Sequence, residues 1–195
     1  MIKMKKFFLP FMMLGILLLA VGCANSEETD TSSNSSESNQ NESSDNSKEA
    51  QENIKIVLEN TFTGPDDEQQ EIIFRGEDEG IEEFADKLSE YQEENFKPYV
   101  SERYYENGIV KTNGAIGFLV VASPKYILNV DEVTLEDREA KEGDYNFNVS
   151  ITYTNKENDK SETMNVEGTA STNEEGKITS IRYLNDEEFR KALEN

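Results

Sequence analysis

Between residues 145 and 154 the chain alternates. Tyr145, Phe147, Val149, Ile151 and Tyr153 are apolar or aromatic, and Asn146, Asn148, Ser150, Thr152 and Thr154 between them are polar. A period of two sends the two sets to opposite faces of a β-strand, so this stretch predicts a strand with one buried face. The same period frames its neighbours. Tyr126 to Asp137 predicts a strand with a bulge near Asp131, closed by Glu142-Gly143-Asp144. Asn155 to Lys160 is a polar hairpin loop, followed by a strand over 163–172 with Met164, Val166, Gly168 and Ala170 on one face. Asn173 to Gly176 predicts another turn, and Lys177 to Leu184 a last strand carrying Ile178, Ile181 and Tyr183. Asp186 predicts the N-cap of a terminal helix containing Phe189 and Leu193.

The preceding half has helical spacing. Ile54, Val57, Leu58 and Phe62 recur at i, i+3, i+4 and i+8, and Gly64-Pro65 stops that helix. Asp66 to Phe74 predicts a second, short helix, and Ile81, Phe84, Ala85, Leu88 and Tyr91 stripe a third. Pro98 to Glu106 predicts a fourth, with proline acceptable in its first turn and Asn107-Gly108 closing it. Ala115 to Ala122 is a nearly continuous apolar run that reads as a buried strand or a buried loop. Helices grouped before an antiparallel meander define an α+β fold: N-terminal helices on a sheet of about four strands, with a short C-terminal helix.

The first 49 residues follow neither period. Lys3, Lys5 and Lys6 precede an apolar stretch from Phe7 to Val21, interrupted by Pro10 and short for a membrane-spanning helix. Small residues Ala20 and Gly22 lead into Cys23, the one cysteine among 195 residues. Residues 24–49 then hold nine Ser, five Asn and seven acids, with Ala24 as the only apolar side chain before Ala50. Such a segment buries too little surface to offset its ordering entropy and is expected to be a disordered tether. As a flexible coil its reach would be about 25–30 Å r.m.s.. The expected organisation is therefore a signal peptide over 1–22, a tether over 23–49 and a globular domain over 50–195.

The segment Leu19-Ala20-Val21-Gly22-Cys23 resembles the lipobox of bacterial lipoproteins, with Ala20 where leucine is commoner. The resemblance implies cleavage between Gly22 and Cys23 and a covalent diacylglyceryl group, carrying palmitate-type chains, on the Cys23 thiol. One acyl chain holds a protein to a bilayer only marginally, whereas two or more hold it firmly. The implied location is the outer face of the cell membrane, or the outer membrane in a Gram-negative cell. The acidic, Ser/Asn-rich tract after the lipobox is similar to those of Gram-positive lipoproteins.

Composition narrows the chemistry. There is no His and one Cys, which removes His-based triads, Cys-His pairs, CxxC redox pairs and the usual His-containing zinc sites within this chain. The net charge is −22, and removal of Lys3, Lys5 and Lys6 with the signal takes it to −25. That field opposes nucleic acid and anionic lipid alike. The expected partners are the membrane, through the lipid, and an envelope protein or a small ligand.

The order of elements over 50–195 resembles the NTF2-like (cystatin-like α+β) superfamily, in which N-terminal helices pack on a curved antiparallel sheet. Phe96-Lys97-Pro98-Tyr99-Val100-Ser101-Glu102-Arg103-Tyr104-Tyr105 is similar to the turn into the third helix of such domains. The resemblance implies a candidate pocket on the sheet face formed by Tyr145, Phe147, Val149, Ile151 and Tyr153. Envelope domains of this kind serve as scaffolds or ligand pockets, so a non-catalytic binding or accessory module is expected, with no catalytic residue and no metal.

The same residues allow two other readings. Isomerase-type NTF2-like enzymes set a carboxylate base beside a tyrosine donor inside the sheet. Here the base would come from Asp131, Glu132 or Glu167, with Tyr99, Tyr104, Tyr126, Tyr145, Tyr153 or Tyr183 as its partner. The third reading is a docking or dimerisation module for another envelope protein, using the open face of the sheet. The acidic runs Asp66-Asp67-Glu68 and Glu77-Asp78-Glu79 lack the alternation of a calcium loop and read as helix-start acids. Gly114-Ala115-Ile116-Gly117 reads as a packing or bending element, and Tyr99, Tyr104 and Tyr105 as parts of a half-buried helix.

Overall fold

The computed structural model describes residues 39–74, 80–139 and 142–194. Gly22, Cys23, the signal segment and the acidic run Glu77-Asp78-Glu79 lie outside the described residues. The strand with the regular alternation, β2 (Asp144–Asn155), pairs antiparallel with β1 (Tyr126–Asp137) on one side and β3 (Ser161–Thr172) on the other. β3 pairs in turn with β4 (Ile178–Tyr183), so the sheet runs in the order β1-β2-β3-β4. The bulge falls where it is expected: Val130 faces Ile151 and Glu132 faces Ser150, leaving Asp131 without an opposite residue. Beside the inward side chains of β2, β3 contributes Met164, Val166, Gly168 and Ala170 in register.

Helix α1 (Asn39–Phe62) lays Ile54, Val57, Leu58 and Phe62 into the core, each fully buried. It begins well ahead of residue 50, so the last part of the stretch read as tether is helical. Packing explains the difference. Ala50 is buried, the Asn53 amide donates to the Gly176 carbonyl at 3.0 Å, and Ser47 Oγ lies 3.5 Å from Tyr145 Oη. A helix nucleated by those contacts propagates into polar sequence at little further cost, and composition does not register that. At its other end Gly64, with φ +126°, exchanges two backbone hydrogen bonds with Leu128 of β1.

Asp66 caps α2 (Asp67–Ile73) through a capping box with Gln69, whose amide also donates to Tyr91 Oη at 3.0 Å. Tyr91 belongs to α3 (Ile81–Asn95), so one glutamine ties two helices together.

Three local readings are corrected. The stretch from Pro98 to Glu106 is no single helix but a 3₁₀ turn (Lys97–Tyr99), the short α4 (Glu102–Tyr104) and a π-helical segment (Tyr105–Val110). Val100 breaks it because it is extended and bridges in parallel to Ile178. The π segment runs through Asn107-Gly108, with the Lys111 N–H reaching the Glu106 carbonyl at 3.1 Å. The apolar run at 115–122 contains α5 (Gly117–Ala122), which is apolar on most sides because Phe118, Leu119 and Ala122 are all buried. Asp186 is the first residue of α6 (Asp186–Glu194) rather than its cap. The position before it, Asn185, is turned to the sheet, accepting from the Glu167 N–H at 2.8 Å and donating to the Asn165 carbonyl at 3.0 Å.

The core centres on aromatic rings from four elements. Phe62 lies 4.6 Å from Phe118, 5.7 Å from Tyr183 and 6.0 Å from Phe189, centroid to centroid. Tilted and edge-on contacts of this kind are the preferred aromatic geometry. The fold is thus α+β, with a four-stranded antiparallel sheet, helices and a short C-terminal helix.

Candidate functional site

The structure brings Tyr145, Phe147, Val149, Ile151 and Tyr153 together on one face of β2, and it buries all five. Phe147 meets the ring of Tyr183 at 5.9 Å, and Tyr153 meets Phe189 at 6.2 Å and Tyr126 at 5.4 Å. These side chains are part of the hydrophobic core.

The three carboxylates considered as bases lie elsewhere. Asp131, Glu132 and Glu167 are all solvent-exposed. Asp131 accepts from Thr152 Oγ1 at 2.6 Å and from the Asn129 amide at 3.2 Å on the polar face of the sheet. None of the three is hydrogen-bonded to a tyrosine among the described residues. One tyrosine–carboxylate pair does form. Tyr153 Oη donates to Glu162 Oε2 at 2.9 Å, and the two residues face each other across β2 and β3. Burial, then the hydrogen bond and charge of Glu162, push the Tyr153 phenol up from 10.0 to about 12. A phenol so held keeps its proton at neutral pH and donates a hydrogen bond to Glu162.

A groove of about 420 Å³ opens between α4, the π segment and β4, lined by Ser101, Arg103, Tyr104, Asn107 and Thr179. Its floor is set by the sheet edge, where the Ser101 N–H donates to the Ile178 carbonyl at 2.8 Å. Ser101 Oγ is committed as the α4 cap, accepting from the Tyr104 N–H at 3.3 Å. Asn107 donates to the Arg103 carbonyl at 2.8 Å and accepts from Lys111 at 2.7 Å, and Thr179 donates to the Ser171 carbonyl at 3.1 Å. Burial pushes the Tyr104 phenol up, and a backbone hydrogen bond from Ile181 offsets part of that. The lining therefore offers an always-charged guanidinium and hydroxyls, with no carboxylate or imidazole to act as general base. Sequence reading did not single out this groove, because Thr179 is distant in the chain and only the Val100–Ile178 bridge brings it near.

Other singled-out residues are structural. Asp66 is a cap, and Tyr105 is buried with Tyr99 and Tyr104 half-buried. Gly114 stands against the Gly108 carbonyl, leaving no room for a β carbon there. Among the described residues no group of three or more acids or cysteines is placed to hold a metal ion, and no helix is long and apolar enough to cross a membrane.

No protein-family model and no curated protein matches the chain. Among solved structures, the chain is similar to the solution structure of TraH, a candidate transfer protein of the Gram-positive conjugative plasmid pIP501. The match has 12% identity and a TM-score of 0.38, and it covers 70% of this chain and 92% of TraH.

Proposed function

We propose that this chain is an exported lipoprotein, cut after Gly22 and held at the outer face of the cell membrane by a diacylglyceryl group on Cys23. Its domain is an NTF2-like module that binds another envelope component without chemical turnover. The anchor reading is supported by the lone cysteine at the end of a basic-then-apolar leader and by the polar acidic tract that follows it. The observation that carries the non-catalytic reading is the placement of acids relative to tyrosines. The inward face of β2 is closed by core rings, and Asp131, Glu132 and Glu167 are in solvent. A carboxylate on the solvent face does not share an enclosed site with a tyrosine donor, which is the arrangement cavity acid–base chemistry uses.

Fractionation of expressing bacteria, with protease added to intact cells, tests the location. The protein should sediment with membranes and be shaved from outside, and Cys23→Ser should release it from the membrane. Crosslinking on the same living cells should join the wild-type domain to a discrete envelope partner. A wild-type protein that remains soluble inside the cell would refute the reading.

A further inference from the structure

We propose that the outer edge of β1 is a docking site for an extended strand of another protein, alternating apolar and basic side chains. This rests on the reading of the domain as a binding module. Leu128 fixes the geometry, because both its N–H and its carbonyl turn away from β2 to meet Gly64. Alternation turns Val130 outward as well. Beyond the bulge the Arg138 N–H bonds inward to the Asp144 carbonyl, so Val133, Leu135 and Asp137 turn their backbone groups outward. Among the described residues Leu128 is the one with a backbone partner on that edge, and the Val130 carbonyl accepts from the Asn129 amide at 3.3 Å, so the open row is that of Val133, Leu135 and Asp137. An edge strand with a row of open donors and acceptors is a template for one more strand.

The side chains define the occupant. Val130, Val133 and Leu135 lie on the core face, half-buried against it, where an added strand would set apolar residues beside them. On the other face Glu132, Thr134 and Glu136 are exposed, with the bulged Asp131 beside Glu132, while Asp137 ends the row of Val133 and Leu135. From Tyr126 to Asp137 there are four acids and no base. A second copy paired through the same edge would set acids against acids, which disfavours a homodimer there. The chain's own residues 24–49 are excluded by the same sign, carrying seven acids and one lysine. Lysine or arginine at alternate positions of a foreign strand would meet Glu132 and Glu136 directly.

The test uses the full chain extracted in detergent and a short capped peptide alternating valine and lysine, with a valine–glutamate peptide as control. The lysine peptide should bind in a salt-sensitive way and slow amide exchange at Val133 and Leu135, and the glutamate peptide should not. Val133→Pro removes one outward N–H without touching the β1–β2 ladder and should weaken binding about tenfold. The charge reversal Glu132→Lys with Glu136→Lys keeps every backbone donor and should exchange the preference to the glutamate peptide. The proposal is overturned if exchange at the edge is unaffected by the lysine peptide or if the charge-reversed variant keeps the original preference. A concentration-dependent dimer protecting the same amides would also overturn it, in favour of a second copy. Loss of membrane attachment in the fractionation assay would leave these peptide results unchanged, so the two readings fail separately.

Discussion

Tyr153 and Glu162 sit directly opposite one another on β2 and β3, and the phenol donates to the carboxylate at 2.9 Å. The pair closes one end of the buried sheet face, where Tyr153 also packs edge-on against Tyr126 and Phe189. Its titration has a definite sign. The folded-state phenol is raised from 10.0 to about 12, so its contribution to stability is complete below pH 10 and is lost as pH rises toward 12. Phenolate absorbance of wild type compared with Tyr153→Phe should assign to Tyr153 a titration well above 10. Glu162→Gln should lower its midpoint while leaving it above 10, because burial, the largest cause, remains. A wild-type midpoint at 10 for Tyr153 would contradict the geometry.

Phe62 joins α1 to α5, β4 and α6 through one ring cluster. Truncation to alanine leaves a cavity that three other rings cannot fill, and the expected loss is about 3–5 kcal/mol. That is a large share of the stability of an ordinary domain, about 5–15 kcal/mol. Urea unfolding monitored by circular dichroism should show the midpoint collapse in Phe62→Ala, with a smaller loss in Phe62→Leu.

Gly168 lies across from Phe147, whose ring occupies the space a β carbon at 168 would need, and the Arg182 carbonyl closes the other side. Gly168→Ala should therefore cost about 1–3 kcal/mol by overpacking. Adding Phe147→Leu should return part of that loss, since neighbours that share one volume are not additive. An unchanged unfolding midpoint in Gly168→Ala would show that the ring is not seated there.

The capping box at α2 gives a milder, local effect. Asp66→Ala removes the acceptor for the Gln69 N–H and should cost about 1 kcal/mol. Gln69→Ala removes the reciprocal bond together with the link to Tyr91, so its cost should be the larger of the two. Amide exchange over 67–73 would separate local fraying from global loss.

The sheet was legible in the sequence for a physical reason. β2 has one face in the core and one in water, so Tyr145 to Thr154 writes the period of two directly, and the bulge at Asp131 marks where that period slips on β1. The stretches that misread are those where tertiary contacts override local pattern. Val100 leaves the helix because Ile178 offers it a sheet partner, and 117–122 is apolar on most sides because Phe118, Leu119 and Ala122 are buried while Val120 is exposed. Residues 39–49 look like linker by composition and are helical because Ala50 and Asn53 anchor the turns that follow. The candidate site divides the same way. The inward residues of β2 were readable as a set, but pocket and core share one alternation pattern, and only the rings of Phe189, Tyr183 and Tyr126 distinguish them. The groove at Arg103 and the open edge of β1 depend on which strands neighbour which, and spacing along the chain does not carry that.

The central claim is that Cys23 carries a lipid that holds a binding domain outside the cell. Intact-mass measurement of the protein extracted from membranes with detergent tests it most directly. The account predicts a chain that starts at residue 23 and is heavier than residues 23–195 by a diacylglyceryl group or a further acylated form of it. The extra mass should map to the N-terminal peptide and be absent from Cys23→Ser. An unmodified chain, whether it still begins at Met1 or is cut at another site, would contradict it.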